Sequence, residues 1–294
     1  MKKEIIVFVC LSLFLISCVS TDSSSNTEKW RSGTQGIVMS FVQNNPPSEV
    51  VSRSDVTVLL EYSNKGAAIT NPRFYLTGFD STILPFRNTV VSVGNLAGKD
   101  NYNSIGSQPG FVKWETGINM NSLREVDSFK QYLSVTACYG YQTIAAPIIC
   151  VDSQKYDYAA PARCDFSIKD LGSSQGAPVA VTEVKQKATT DEMFIEIHVD
   201  NKGSGTPYLT GDCLKLGYDQ IDQLSIAEVT MSGKRFQCAP SNIRLVNGKG
   251  YAICSLKINN ANTYYETPLT IRLSYNYRDT MPRKEITIIN VDKK

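Results

Sequence analysis

Two stretches, DVTVLLEYSNKGAAIT at 55–70 and EMFIEIHVDNKGSGTP at 192–207, constrain this chain more than anything else in it. Superimposed on Asn64-Lys65-Gly66 and Asn201-Lys202-Gly203, they alternate apolar and polar residues in the same phase. Val56, Val58, Leu60 and Tyr62 match Met193, Ile195, Ile197 and Val199, as the buried face of a strand with period two requires. The Asn-Lys-Gly that follows is turn chemistry: asparagine tolerates positive φ and glycine adopts it freely. A second pair agrees. QYLSVTACYGYQT at 131–143 and PLTIRLSYNYRDT at 268–280 place Leu133, Val135, Ala137, Tyr139 and Tyr141 against Leu269, Ile271, Leu273, Tyr275 and Tyr277. Gly66 precedes Tyr139 by 73 residues, and Gly203 precedes Tyr275 by 72. A shorter pair, GIVMSFV at 36–42 and GAPVAVTEV at 176–184, opens each copy. Matching blocks at nearly constant spacing indicate a tandem duplication.

Each copy holds several short runs of alternating residues broken by Gly, Asn and Pro, and 119–131 has room for one helical turn at most. A sheet with one apolar face needs a second sheet to cover it. The expected fold is therefore all-β: two tandem immunoglobulin-like or fibronectin-like antiparallel β-sandwiches, at 34–152 and 164–294, joined by a linker at 153–163. The resemblance to immunoglobulins is one of architecture. The second copy has no Trp, so the tryptophan that packs on the paired cysteines of antibody domains is missing there.

The N-terminus sets the expected location. A basic start, Met1-Lys2-Lys3, leads into IIVFVCLSLFLIS, an apolar run of 13 residues. That is shorter than the ~20 a spanning helix needs and suits a secretion signal at 1–17. The run ends Leu15-Ile16-Ser17-Cys18, which resembles the lipobox of prokaryotic lipoproteins. By that resemblance Cys18 is the mature first residue and carries diacylglycerol on its sulfur, anchoring the chain to a membrane. Residues 18–33, VSTDSSSNTEKWRSG after the cysteine, are too polar to form a core and read as a flexible tether. Trp30 reads as the first packing residue. Lipobox and paired sandwiches together resemble prokaryotic surface lipoproteins of archaeal type with adhesion-related Ig-like modules. The resemblance implies an extracellular location and a binding or structural role.

Charge and cysteine usage narrow the classes further. The chain has 30 Lys+Arg and 28 Asp+Glu; without Lys2, Lys3 and Glu4 the balance is 28 to 27, and no block of like charge offers nucleic acid a footprint. With Cys10 in the signal and Cys18 lipidated, six cysteines remain: Cys138, Cys150, Cys164, Cys213, Cys238 and Cys254. An even number in an exported chain points to disulfides, and the absence of CxxC spacing argues against zinc. A hairpin centred on YQTIAAP would place Cys138 opposite Cys150. The other four allow three pairings, of which Cys238–Cys254 with Cys164–Cys213 is favoured.

No catalytic constellation emerges, and no cofactor or metal is expected. His198 is the one histidine; alternation puts it on the outer face of its strand, two residues from Asp200, and one His with one Asp does not make a metal site. The acids of DQIDQ and TTDEM lack the spacing of a calcium loop, while GKDNYNSIG at 98–106 could contribute oxygens to one. Tyr139, Tyr141, Tyr275 and Tyr277 read as core. Tyr102, Tyr264 and Tyr265, in expected loops, and Tyr156 and Tyr158, in the linker, form the best recognition surface, because rigid scaffolds collect binding residues in loops. The expected function is thus a lipid-anchored, non-catalytic binding, adhesion or spacing module, engaging another surface protein or a cell-surface polymer. The alternatives are a structural subunit of a surface layer or filament, and a hydrolase with an unrecognised site.

Overall fold

A computed structural model describes residues 30–121, 125–152, 163–188, 192–258 and 264–291. Among them the protein is all-β, without a helix; the helical turn considered within 119–131 falls partly on 122–124, outside the described residues. The strands before the linker are β1 (Ile37–Phe41), β2 (Glu49–Val51), β3 (Val56–Asn64), β4 (Arg73–Thr77), β5 (Val90–Ser92), β6 (Gly110–Thr116), β7 (Ser128–Ala145) and β8 (Ile148–Asp152). After it come β9 (Lys169–Asp170), β10 (Val179–Ala188), β11 (Glu192–Asn201), β12 (Thr206–Tyr208), β13 (Gln223–Met231) and β14 (Lys234–Arg235). The last five are β15 (Gln237–Ala239), β16 (Asn242–Arg244), β17 (Lys249–Lys257), β18 (Tyr264–Thr280) and β19 (Lys284–Ile289).

Alternation decides which side chains go inside. Val56, Val58 and Leu60 of β3, and Met193, Ile195, Ile197 and Val199 of β11, have no exposed surface. Each of these strands is the inner member of a sheet. The first is three-stranded, β1-β3-β6, and the second five-stranded, β15-β17-β11-β10-β9. Both lie against an 11-stranded sheet whose path runs β14-β13-β18-β7-β19-β2; one continuous core draws buried apolar residues from all three, and Cys138, Tyr208 and Cys213 form a small cluster apart from it. Burying a Leu- or Ile-sized side chain stabilises by roughly 1.5–3 kcal/mol, so this shared core dominates the favourable side of folding.

The large sheet departs from the expected hairpin. Residues 138–150 do not fold back on themselves. β7 pairs antiparallel with β18 from Thr136↔Thr280 to Ala145↔Ile271, and β8 continues along the same neighbour from Ile148↔Pro268 to Asp152↔Tyr264. Pro147 interrupts the strand because it has no N–H to donate, yet its carbonyl accepts from Leu269 N–H at 2.8 Å, so the ladder carries on. The other end repeats the device. After Pro282, β19 runs on along β7 from Lys284↔Leu133 to Ile289↔Ser128, and Met281 N–H bonds Val135 C=O at 2.9 Å across the break. Consequently the last strand of the 34–152 segment lies beside β18, and the last strand of the 164–294 segment lies beside β7 and, in parallel, β2. The ends of the two sequence segments are exchanged.

With the hairpin gone, the cysteine pairing changes. Cys138 bonds Cys213, Cys150 bonds Cys164, and Cys238 bonds Cys254. The Cys138–Cys150 and Cys164–Cys213 pairings expected from the sequence are therefore replaced, because β7 and β8 are collinear. Cys238 and Cys254 face each other across the β15–β17 ladder. Cys150–Cys164 and the ion pair of buried Asp152 with Arg163, at 2.6 Å, clamp the two ends of the linker. Three disulfides fit an extracellular location. Cys10 and Cys18, with the signal and most of the tether, lie outside the described residues.

Candidate binding surface

The centre of the molecule is the crossing of β7 and β18, and it is built on four tyrosines. Tyr139 stands opposite Tyr277 and Tyr141 opposite Tyr275, with ring centroids 5.8 and 6.1 Å apart, inside the range of favourable aromatic pairs. All four rings are buried, so each hydroxyl needs a partner. Ile37 N–H donates to Tyr139 and Val179 N–H to Tyr275, both at 3.3 Å. Ala68 N–H donates to Tyr141 at 3.3 Å and Gly205 N–H to Tyr277 at 2.9 Å. The hydroxyls thus tie down the start of β1, the start of β10 and the two Asn-Lys-Gly turns in matching fashion. Burial pushes every one of these phenols up, Tyr141 to about 12.

The turns work differently from the sequence expectation. Neither Asn-Lys-Gly uses positive φ. Asn64 instead donates to Ala68 C=O and accepts from Gly66 N–H, at 2.7 and 3.0 Å. Asn201 bonds Gly205 C=O and Gly203 N–H in the same way, at 2.8 and 3.3 Å. Glycine is required for space. A Cβ on Gly66 would overlap the Tyr141 hydroxyl and lie 2.6 Å from Gln35 C=O, and one on Gly203 would overlap the Tyr277 hydroxyl.

Two grooves flank the crossing. One, of about 560 Å³, has Trp30, Arg31, Ile69, Gln142 and Asn276 in its lining, with the Arg31 guanidinium 4.2 Å from the centre of the Trp30 ring. The other, of about 510 Å³, runs beside β1 and is lined by Ile37, Met39, Lys202, Asp279 and Met281, among others. Burial raises the Asp279 carboxyl, and Ser204 donates to it at 3.1 Å. Tyr141 and Tyr275 belong to the first groove, Tyr139 and Tyr277 to the second. The mixture of apolar walls with a few polar groups suits recognition of a ligand.

His198 lies on the outer face of β11, in a set of mutually satisfied charges. Its Nε2 is 2.6 Å from Glu196 Oε1 and 3.2 Å from Lys185 Nζ, and its ring stacks on Tyr251. Asp200 pairs with Lys202 at 2.8 Å. Among the described residues no group of three or more His, Cys, Asp or Glu is placed to hold a metal ion. In the 98–106 loop, Asp100 Oδ1 accepts from Tyr102 N–H and Asn103 N–H at 2.8 and 2.7 Å, so this oxygen is occupied in shaping the turn.

Of the tyrosines singled out from the sequence, Tyr102, Tyr264 and Tyr265 lie among the described residues. Tyr102 is fully exposed on its loop. Tyr264 and Tyr265, expected in a loop, begin β18 and pair with Asp152 and Val151. They point to opposite faces, and Arg163 covers the Tyr264 ring at 4.5 Å. Tyr156 and Tyr158 lie outside the described residues. What sequence reading missed is the edge of β1: an uncharged run, Ile37–Phe41, gives no local sign of whether it will have one neighbour or two.

No protein family matches the chain, and neither does any curated protein. Among solved structures, a crystal structure of the YadV chaperone is 12% identical, with a TM-score of 0.21 over 80% of this chain and 100% of that one; at that score the likeness carries no argument.

Proposed function

We propose that the protein is a membrane-anchored extracellular lipoprotein of prokaryotic, archaeal type, held at Cys18, whose two Ig-like halves arose by duplication and act together as one rigid, non-catalytic binding and spacing module. The observation that carries this reading is the exchange of final strands across the β7–β18 ladder, reinforced by Cys138–Cys213. A pair of domains on a hinge would leave the junction free to bend. Here the junction is continuous sheet, closed by a disulfide across it and filled by the shared core. The matching hydrogen bonds of the four tyrosines support the duplication, since each bond in one half has a counterpart in the other.

The anchor is tested by labelling cells with a radioactive fatty acid. Incorporation into the unmodified chain and its loss in Cys18→Ser are expected; an unlabelled parent chain overturns the anchor. The non-catalytic part is tested with a broad panel of glycans and peptides: turnover abolished by replacing one acidic residue would make the protein a hydrolase. Concentration-dependent polymers of the full chain would favour a surface-layer or filament subunit instead.

A further inference from the structure

We infer that the groove beside β1 binds an organic ammonium ion with an apolar body, its cationic head held by Asp279, the Tyr139 hydroxyl and the Ile37 carbonyl. The inference rests on the binding-module reading and names the class of ligand. It comes from setting the two halves of the β7–β18 crossing against each other. Tyr275 stands 136 residues after Tyr139, and Tyr277 the same distance after Tyr141, which makes Asp279 the counterpart of Thr143. Ile37 and Val179 correspond as well, since each donates its N–H to the matching tyrosine.

Around Tyr275 the polar groups satisfy one another. Thr143 Oγ1 donates to Val179 C=O at 2.6 Å and lies 3.0 Å from the Tyr275 hydroxyl. A hydroxyl has one hydrogen, so Tyr275 is the donor in that pair. Tyr141 likewise donates to Gly176 C=O at 2.8 Å, and Tyr277 to Asn201 Oδ1 at 3.1 Å. Tyr139 is the exception: it is buried, accepts from Ile37 N–H, and donates to none of the described residues. The carbonyl of Ile37 faces the same way. Lys65 N–H bonds Gly36 C=O and Val42 N–H bonds Leu59 C=O, and antiparallel bonds alternate, so Ile37 turns its N–H and C=O away from β3. Where the other half has the Thr143 hydroxyl, this half has a carboxylate. Asp279 accepts from the Ser204 hydroxyl at 3.1 Å and lies near enough to Tyr139 for its charge to push the phenol up.

Among the described residues no cation answers that carboxylate. Lys202, which also lines the groove, is held by Asp200 at 2.8 Å, and Arg278 donates to Cys213 C=O at 3.2 Å. A half-buried charge without a partner is costly, and burial raises the Asp279 carboxyl accordingly. An ammonium group brings three N–H donors to three acceptors: Asp279, Ile37 C=O and the second lone pair of the Tyr139 oxygen. The Tyr139 hydrogen then turns to Asp279. A neutral hydroxyl could make such bonds but would leave the charge unmatched, and hydrogen bonds between ions are the stronger kind. A metal ion would find a single carboxylate, with no group of three or more His, Cys, Asp or Glu among the described residues. The walls of the 510 Å³ groove, which include Ile37, Met39, Pro178, Met281 and Pro282, suit the hydrocarbon part of the ion.

The test follows backbone amide NMR signals of the full chain, purified in non-ionic detergent, on titration with n-butylammonium chloride or n-butanol at fixed ionic strength. Butylammonium should shift Ile37, Ser204 and Thr280 with a midpoint about tenfold below that of butanol. Their counterparts Val179, Ala67 and Ile144, which have Thr143 in place of the acid, should not move. Asp279→Asn should bring the two midpoints together; Asp279→Thr, which copies Thr143, serves as the second variant. The proposal is overturned if neither compound shifts these amides, if butanol acts as well as butylammonium, or if the counterpart amides respond equally. Survival of the preference in a folded variant overturns it too. Calcium chloride moving the same amides at lower concentration than butylammonium also overturns it, by making the site one for a metal ion. Should neither variant fold, the parent's ratio of midpoints and its counterpart amides decide the matter. An overturned site leaves the lipoprotein reading standing, since fatty-acid labelling and the glycan and peptide panel decide that separately.

Discussion

The three-stranded and five-stranded sheets are built on strands that match residue for residue along β3 and β11, yet they finish differently. In the second, two short strands close both flanks: β9 lies along β10, and β15 is joined to β17 through Cys238–Cys254. In the first, among the described residues, β1 and β6 have nothing beyond them in the sheet. The interiors are equally dry, with Val58 and Leu60 as fully buried as Ile195 and Ile197. The difference teaches that the buried face and the edge are separable properties. Alternation determines the face, while the edge is decided by a few residues elsewhere in the chain.

The largest effects test whether the two sheets are energetically one body. Leu60→Ala and Ile197→Ala remove side chains of equal burial, and each should cost about 2–5 kcal/mol. Because the β7–β18 ladder and the common core couple them, urea denaturation should show one transition for both variants, followed by tryptophan fluorescence and circular dichroism together. Two transitions would break the comparison into two independent domains.

Next come the disulfides. Cys138–Cys213 spans 75 residues and Cys238–Cys254 spans 16. Loop-closure entropy gives about 4 kcal/mol for the first and about 3 for the second. Replacing the first pair by serine should lower the stability of the whole molecule. Replacing the second should also speed amide exchange along the newly loosened edge of β17, leaving β1 and β6 unchanged.

Alkaline pH probes the tyrosine crossing. These phenols titrate higher folded than unfolded, where the value is about 10. Their contribution is full below pH 10 and is lost as pH rises through the folded values, about 12 for Tyr141. The slope should approach about 1.4 kcal/mol per pH unit for each tyrosine that ionises only on unfolding. Urea midpoints between pH 9 and 12 would show it, and Tyr275→Phe should make the slope shallower. The smallest effect is at the β6 edge. Lys113→Val should change stability by no more than about 0.5 kcal/mol, since an exposed ion pair contributes little. It should nevertheless raise light scattering on concentration, because it removes the charge that guards that edge.

Much of the interior was legible in the sequence. The alternating runs became β3 and β11, and the tyrosines on the inward phase of 131–143 and 268–280 are buried. The favoured Cys238–Cys254 pairing is present, while its companion Cys164–Cys213 is not. What local reading could not reach was the choice of neighbour. Ala146-Pro147 carries the signs of a turn, and nothing within a dozen residues says that the strand resumes in the same line against a segment more than a hundred residues later. That one choice relocated β8, β19 and two disulfides together. Likewise, Gly66 was legible as necessary but for another reason: the Tyr141 hydroxyl occupies the place of its Cβ.

The position of β19 has a consequence for how the chain is made. β2 and the opening residues of β7 take their partner from Lys284–Ile289, which the ribosome makes long after either of them. Until those residues are made, the earlier half lacks a strand it needs, and a product stopped short of Lys284 never receives it. Such a polypeptide stays unfinished until β19 arrives and locks only then, so synthesis through Ile289 is itself a condition for folding.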